Sequence, residues 1–191
     1  LPIIETQMGD ISAYIPTNII SITDGQIFLD NNLFNAGFRP AVNVGMSVSR
    51  VGGKAQTRAM RRLSGRLRID MAQFRERQSF ALFASELDRE TKIQLQRGQV
   101  LNELLKQVNC RPMPVAEQVI MFYLGVKGFL DTIPPAKAQL FESRFMDFVR
   151  LNQNDLITEI EETNDYSQAW EDKLGKLAFK FKEQFKNVES N

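Results

Sequence analysis

The sequence contains no histidine, which removes the commonest general base and the usual partner of a serine or cysteine nucleophile. Its one cysteine, Cys110, cannot close an internal disulfide, and alone it makes no zinc site. Long apolar runs are missing too: nothing approaches the roughly 20 residues that span a bilayer. The chain opens at Leu1 rather than Met, with no charged leader before an apolar segment, so it reads as processed or as part of a longer protein. Nor is there a Walker phosphate loop. The nearest approach is Gly52, Gly53 and Lys54, but Val48 stands where the first glycine belongs and Ala55 where the magnesium-binding hydroxyl belongs. No paired carboxylates stand out, and Glu159, Glu161 and Glu162 read as the solvated face of a short polar helix. A free-standing phosphohydrolase is thereby disfavoured.

What is present describes an ordinary globular chain. With 191 residues, 43% hydrophobic and 25% charged, it has room for one domain, or one domain and a remnant of another. The net charge of +1 conceals an uneven distribution. Residues 54–77 carry eight basic side chains (Lys54, Arg58, Arg61, Arg62, Arg66, Arg68, Arg75, Arg77) against Asp70 and Glu76. Such a band is ordinarily a solvated helix face, and alternatively a contact for phosphates, nucleic acid or an acidic partner.

Two regimes of periodicity follow one another. In the first, β-branched runs at 19–22 and 27–29 flank the turn signal Thr23-Asp24-Gly25, and residues 41–49 alternate Val42, Val44, Met46 and Val48 with polar or small residues. Period two predicts strands there. From about residue 55 the spacing becomes helical. One amphipathic region runs through 67–87, and a second carries Ile93, Val100, Leu101, Leu104 and Leu105. Pro112 and Pro114 are expected to stop it and start a third, with a stripe of Val119, Phe122, Tyr123, Val126 and Leu130. After Pro134 and Pro135 comes Phe141, Phe145, Phe148 and Val149. A last helix aligns Trp170, Leu174, Leu177, Ala178, Phe181 and Phe185. These stripes must bury one another, which predicts an all-α bundle over 57–191. Two or three short strands form no stable sheet alone, so 1–56 reads as the tail of a larger domain.

One segment invites a chemical reading: SVSRVGG at 47–53 sets Arg50 at a strand end beside two glycines. A guanidinium is always charged and binds phosphate oxygens two at a time. From the residues alone, both an anion contact and a plain surface salt bridge remain open for it.

The longer strings carry more. LPIIETQ (1–7), YIPTN (14–18), ISITDGQIFL (20–29), LFNAG (33–37), Arg39-Pro40 and NVGMSVSRVGG (43–53) closely resemble the α subunit of rotary F-type ATP synthases. The likeness continues through Ala55-Gln56, AQFR (72–75), FASELD (83–88) and LLKQ (104–107), thinning to about residue 131. The resemblance implies an α-dominated fold: a helical bundle at 57–191 after a short β/loop remnant, at 1–56, of a RecA-like α/β nucleotide-binding domain. It implies an α3β3 hexamer with β subunits, a central γ stalk and a peripheral stalk, with ATP or ADP and Mg2+ bound in the full complex, none in the isolated chain, and no nucleic acid. By motif match, Arg50 takes the place of the arginine finger that α supplies to a neighbouring catalytic site, and Ser21 that of a serine near the same phosphates. Phe34, Arg39, Pro40, Gln107 and Asn109 take the place of a non-catalytic adenine pocket. Asn109 stands where the family usually has the longer glutamine, and Cys110 where an aromatic often follows. The resemblance places the chain on the soluble face of an energy-transducing membrane. The glycine pair and the 54–70 segment favour a bacterial plasma membrane over thylakoid or mitochondrial inner membrane. The competing reading is a helical module that binds nucleic acid or an acidic partner through 54–77.

Overall fold

A computed structural model describes residues 2–81 and 88–189. The end of the first amphipathic region, and the FASEL part of the 83–88 string, lie outside the described residues. The chain divides into two compact units, Leu1–Gln56 with Lys106–Arg111, and Thr57–Leu105 with Pro112–Asn191.

In the first unit the expected strand at 19–22 is helix: α1 runs Tyr14–Ile22. The preference of isoleucine for strands amounts to a few tenths of a kcal/mol per residue, small enough for context to override it. Pro16 sits in the first turn, where no amide donor is needed. The Thr17 hydroxyl donates to the Ala13 carbonyl at 2.7 Å and that of Thr23 to the Ile19 carbonyl at 2.9 Å. The other extended stretches shrink as well. β1 (Gly25–Gln26) pairs antiparallel with β2 (Val48–Ser49), Gly25 opposite Ser49, and Leu29 makes one bridge to Val42. Between Val42 and β2 the alternation breaks because Asn43 folds the chain back on itself. Its Oδ1 accepts from the amides of Gly45 and Met46, at 3.1 and 3.2 Å. Two short helices also lie in this unit: α2 (Asn31–Asn35), capped by Asp30, whose carboxylate accepts from the Asn32 amide, and α3 (Gly52–Ala55).

The second unit is the helical bundle that the stripes predict. It comprises α4 (Arg58–Ala81), α5 (Arg89–Leu104), α6 (Val115–Val126), α7 (Ala138–Asn152), α8 (Asp155–Thr163) and α9 (Gln168–Glu189). α4 buries Ala59, Leu63, Leu67, Met71 and Phe74, successive turns of one face. On α9 all six stripe residues are buried, and Trp170, fully enclosed, donates its indole N–H to the Leu156 carbonyl at 2.9 Å. Phe141, Phe145, Phe181 and Phe185 form a ring cluster with centroids 5.2–5.9 Å apart. Each such pair adds about 0.5–1.5 kcal/mol beyond the area it buries. Two expectations are corrected. Ile93 is 41% exposed and outside the core. And α5 ends at Leu104, well before Pro112, because Lys106–Arg111 belong to the first unit. Among the described residues no helix is long and apolar enough to cross a membrane.

Candidate functional site

The residues singled out by resemblance fall in the first unit, in two groups. The first centres on Arg50, directly after β2. Its amide donates to the Asp24 carbonyl at 2.9 Å, continuing the β1–β2 register past the strand end. Gly25 makes that register possible: a Cβ there would collide with the Val48 carbonyl. The guanidinium turns onto the Thr23-Asp24 turn. Nη2 donates to the Thr23 carbonyl, and Nε lies 3.9 Å from Asp24 Oδ1. Thr23 caps α1, so the cation sits at the negative end of that helix. The arginine side chain is 60% exposed and the aspartate 72%, and an exposed pair of this kind contributes at most about 1 kcal/mol. The guanidinium can therefore be redirected to a stronger anion at small cost. Ser21, by contrast, lies within α1 rather than at a strand end, with its hydroxyl donating to the Asn18 carbonyl at 2.6 Å.

The second group assembles around α2. The Arg39 guanidinium lies over the Phe34 ring, 4.7 Å from its centroid. The Arg39 carbonyl accepts from the Gln107 amide at 2.7 Å, and the Arg39–Pro40 peptide is cis. Phe34, Arg39, Pro40 and Gln107 are thus brought together although 67 residues separate Pro40 from Gln107. Lys106 adds a second cation–ring contact, 4.9 Å over Phe38. Asn109 is exposed in the following turn, where Cys110 takes a positive φ of 59°. Asp30, at the head of α2, is held below the usual carboxylate range by the Asn32 amide first and then by Asn43. Sequence reasoning missed Thr23 and Asp24 as partners of Arg50, and Lys106. The turn signal at 23–25 marked the place but not the partner.

The basic band belongs to the second unit from Arg58 onward, and parts of it are engaged there. Arg62 bonds Asp165, Glu171 and the Tyr166 carbonyl, with its guanidinium 3.9 Å over the Tyr166 ring; Arg66 bonds Asp70. Among the described residues no three His, Cys, Asp or Glu side chains cluster as metal ligands.

Comparison with known proteins decides the family. Residues 56–181 match the model of the ATP synthase alpha/beta chain, C terminal domain. Residues 1–49 match that of the ATP synthase alpha/beta family, nucleotide-binding domain. The chain belongs to the ATP synthase alpha/beta family. It is 55% identical over 185 residues to ATP synthase subunit alpha of Syntrophomonas wolfei, covering 97% of this chain and 37% of that protein. The corresponding subunits of Mycobacterium leprae and Mycobacterium tuberculosis are 53% and 52% identical over 185 residues, again 97% of this chain and 33% and 34% of theirs. The chain therefore spans about a third of the length of these ATP synthase relatives. Arg50 falls between the two family matches, just past the end of the nucleotide-binding one.

Proposed function

We propose that this chain acts as the C-terminal part of an ATP synthase α subunit and supplies Arg50 to a catalytic site on a neighbouring β subunit. The observation that carries the reading is a mostly exposed guanidinium, held among the described residues by an exposed aspartate and one carbonyl, in a chain 55% identical to an ATP synthase subunit alpha. Phosphoryl transfer spreads charge over the γ-phosphate oxygens, and a positioned guanidinium stabilises that charge without water reorganisation. Ser21, two residues before Thr23, is the second candidate near those phosphates. Phe34 and Arg39 offer a flat, half-exposed face of the kind a purine stacks on, and with Pro40, Gln107 and Asn109 they form the proposed adenine side of a non-catalytic nucleotide site. Mg2+ would accompany the nucleotide phosphates, and no residue of this chain is assigned to it.

The exposed apolar side chains of the first unit, among them Tyr14, Ile22, Ile27 and Val48, are what a unit meant to pack against the rest of a nucleotide-binding domain would present. In this reading the partners are β subunits in an α3β3 ring, a central γ stalk and a peripheral stalk, on the soluble face of an energy-transducing membrane, with ion flow driving synthesis. The bacterial relatives favour a bacterial plasma membrane. The isolated chain is expected to be inactive. The deciding experiment is ATP turnover of the assembled complex carrying Arg50→Ala, with assembly monitored in parallel. Near-parental turnover would remove the assignment.

A further inference from the structure

A groove of about 560 Å³ opens in the helical unit where α9 passes the end of α6 and the turn that follows it. That size falls within the about 300–1,000 Å³ of small-molecule sites. Its walls are aromatic. Tyr123 and Phe129 stack with ring centroids 6.4 Å apart, and Phe179 of α9, 64% exposed, lines the same groove. Gly175 keeps the space open, since a Cβ there would lie only 3.3 Å from the Phe129 ring. The charges around it are unequal: two carboxylates, Glu171 and Asp172, face one cation, Lys176.

A cation of the protein already samples this chemistry. Nζ of Lys127 lies 5.3 Å from the centroid of the Tyr123 ring and 3.5 Å from Glu171 Oε2, on a side chain that is half exposed. Both contacts are at the long end of their range. The same carboxylate oxygen holds the Tyr123 hydroxyl more closely, at 2.9 Å. Lys127 is therefore a loosely held occupant, a compact ammonium on a flexible stem.

We propose that this groove binds a small, flat organic cation, an amidinium or guanidinium carried on an aromatic body, which takes the place of Lys127. Aromatic faces attract positive charge, and an apolar ring gains contact with the three aromatic walls. A planar fork matches a carboxylate better than an ammonium does. An anion would meet Glu171 and Asp172, and a neutral ring would gain the walls alone. The groove lies wholly within the helical unit and stands independently of the role proposed for Arg50.

Benzamidinium is the probe, titrated into the full chain. It should move the amide resonances of Gly175 and Phe179 to saturation. Benzamide, its neutral analogue, and N-acetyl-argininamide, which has the fork without the ring, should each bind on the order of tenfold more weakly. Lys127→Met removes the competing ammonium and should tighten benzamidinium several-fold. Gly175→Leu fills the groove and should abolish binding, with Trp170 emission reporting that the bundle is folded. Should Gly175→Leu not fold, Phe179→Ala, which removes an exposed wall, should weaken binding several-fold. Equal affinity for either analogue, weaker binding to Lys127→Met, or binding unchanged by Gly175→Leu or Phe179→Ala each overturns the site.

Discussion

Nη2 of Arg50 donates to the carbonyl of Thr23, the residue that closes α1. The bond ties a strand-end cation to a helix C-terminus 27 residues earlier, and it spends the guanidinium on an exposed carbonyl and an exposed aspartate rather than on the core. A γ-phosphate carries more charge than either and would outcompete both.

Replacing Arg50 by alanine in the assembled complex is therefore expected to lower ATP turnover by about 10³ to 10⁵ while leaving assembly intact. Lysine should rescue little, because its ammonium lacks the planar fork. Steady-state hydrolysis and a native assembly gel on the same samples check this. Turnover within a few-fold of the parent would show that the side chain does something else.

Phe34→Ala removes the ring under Arg39 and should weaken adenine nucleotide at the non-catalytic site by about 1–3 kcal/mol, the usual worth of a base–aromatic stack. Retained nucleotide per complex after gel filtration is the measurement. Parental retention would mean that Phe34 only packs.

Phe181→Asp should unfold the bundle. Phe181 contacts the rings of Phe141, Phe145, Phe148 and Phe185. A carboxylate placed there is unpaired and costs several kcal/mol, most of the stability of a typical domain. Loss of helical circular dichroism at 25 °C with exposure of Trp170 is expected, and a parental melting curve would contradict this core.

Gly98→Ala tests a close helix contact. Glycine in a helix interior costs up to about 1 kcal/mol against alanine. A Cβ at Gly98, however, would run into the ring of Phe74 on α4, and overpacking of that kind costs about 1–3 kcal/mol. The clash should win, lowering the urea midpoint, whereas an unchanged or raised midpoint would show that Phe74 can step aside.

The bundle was legible because burial on a helix repeats every three to four residues and leaves its mark in composition. The α9 stripe from Trp170 to Phe185 could be read directly and is buried throughout. The first unit was not legible in the same way. Isoleucines at 19, 20 and 22 suit a strand by propensity, yet the stretch is helical, with Pro16 in its first turn and the Thr17 and Thr23 hydroxyls bonded to the Ala13 and Ile19 carbonyls. Likewise Val42 to Val48 alternate, but the side chain of Asn43 bends them out of a ladder.

By itself, then, the sequence determined the helical unit and the absence of histidine chemistry, which rest on residue type and local spacing, whereas Phe34 and the phosphate-facing reading of Arg50 came from the family resemblance. Only the tertiary structure decided which partners they meet. Arg50 finds Thr23 and Asp24, and Arg39 finds Phe34 and Gln107. Pairings between distant residues depend on how backbone turns close and on which donors are already satisfied, and neither is written in periodicity.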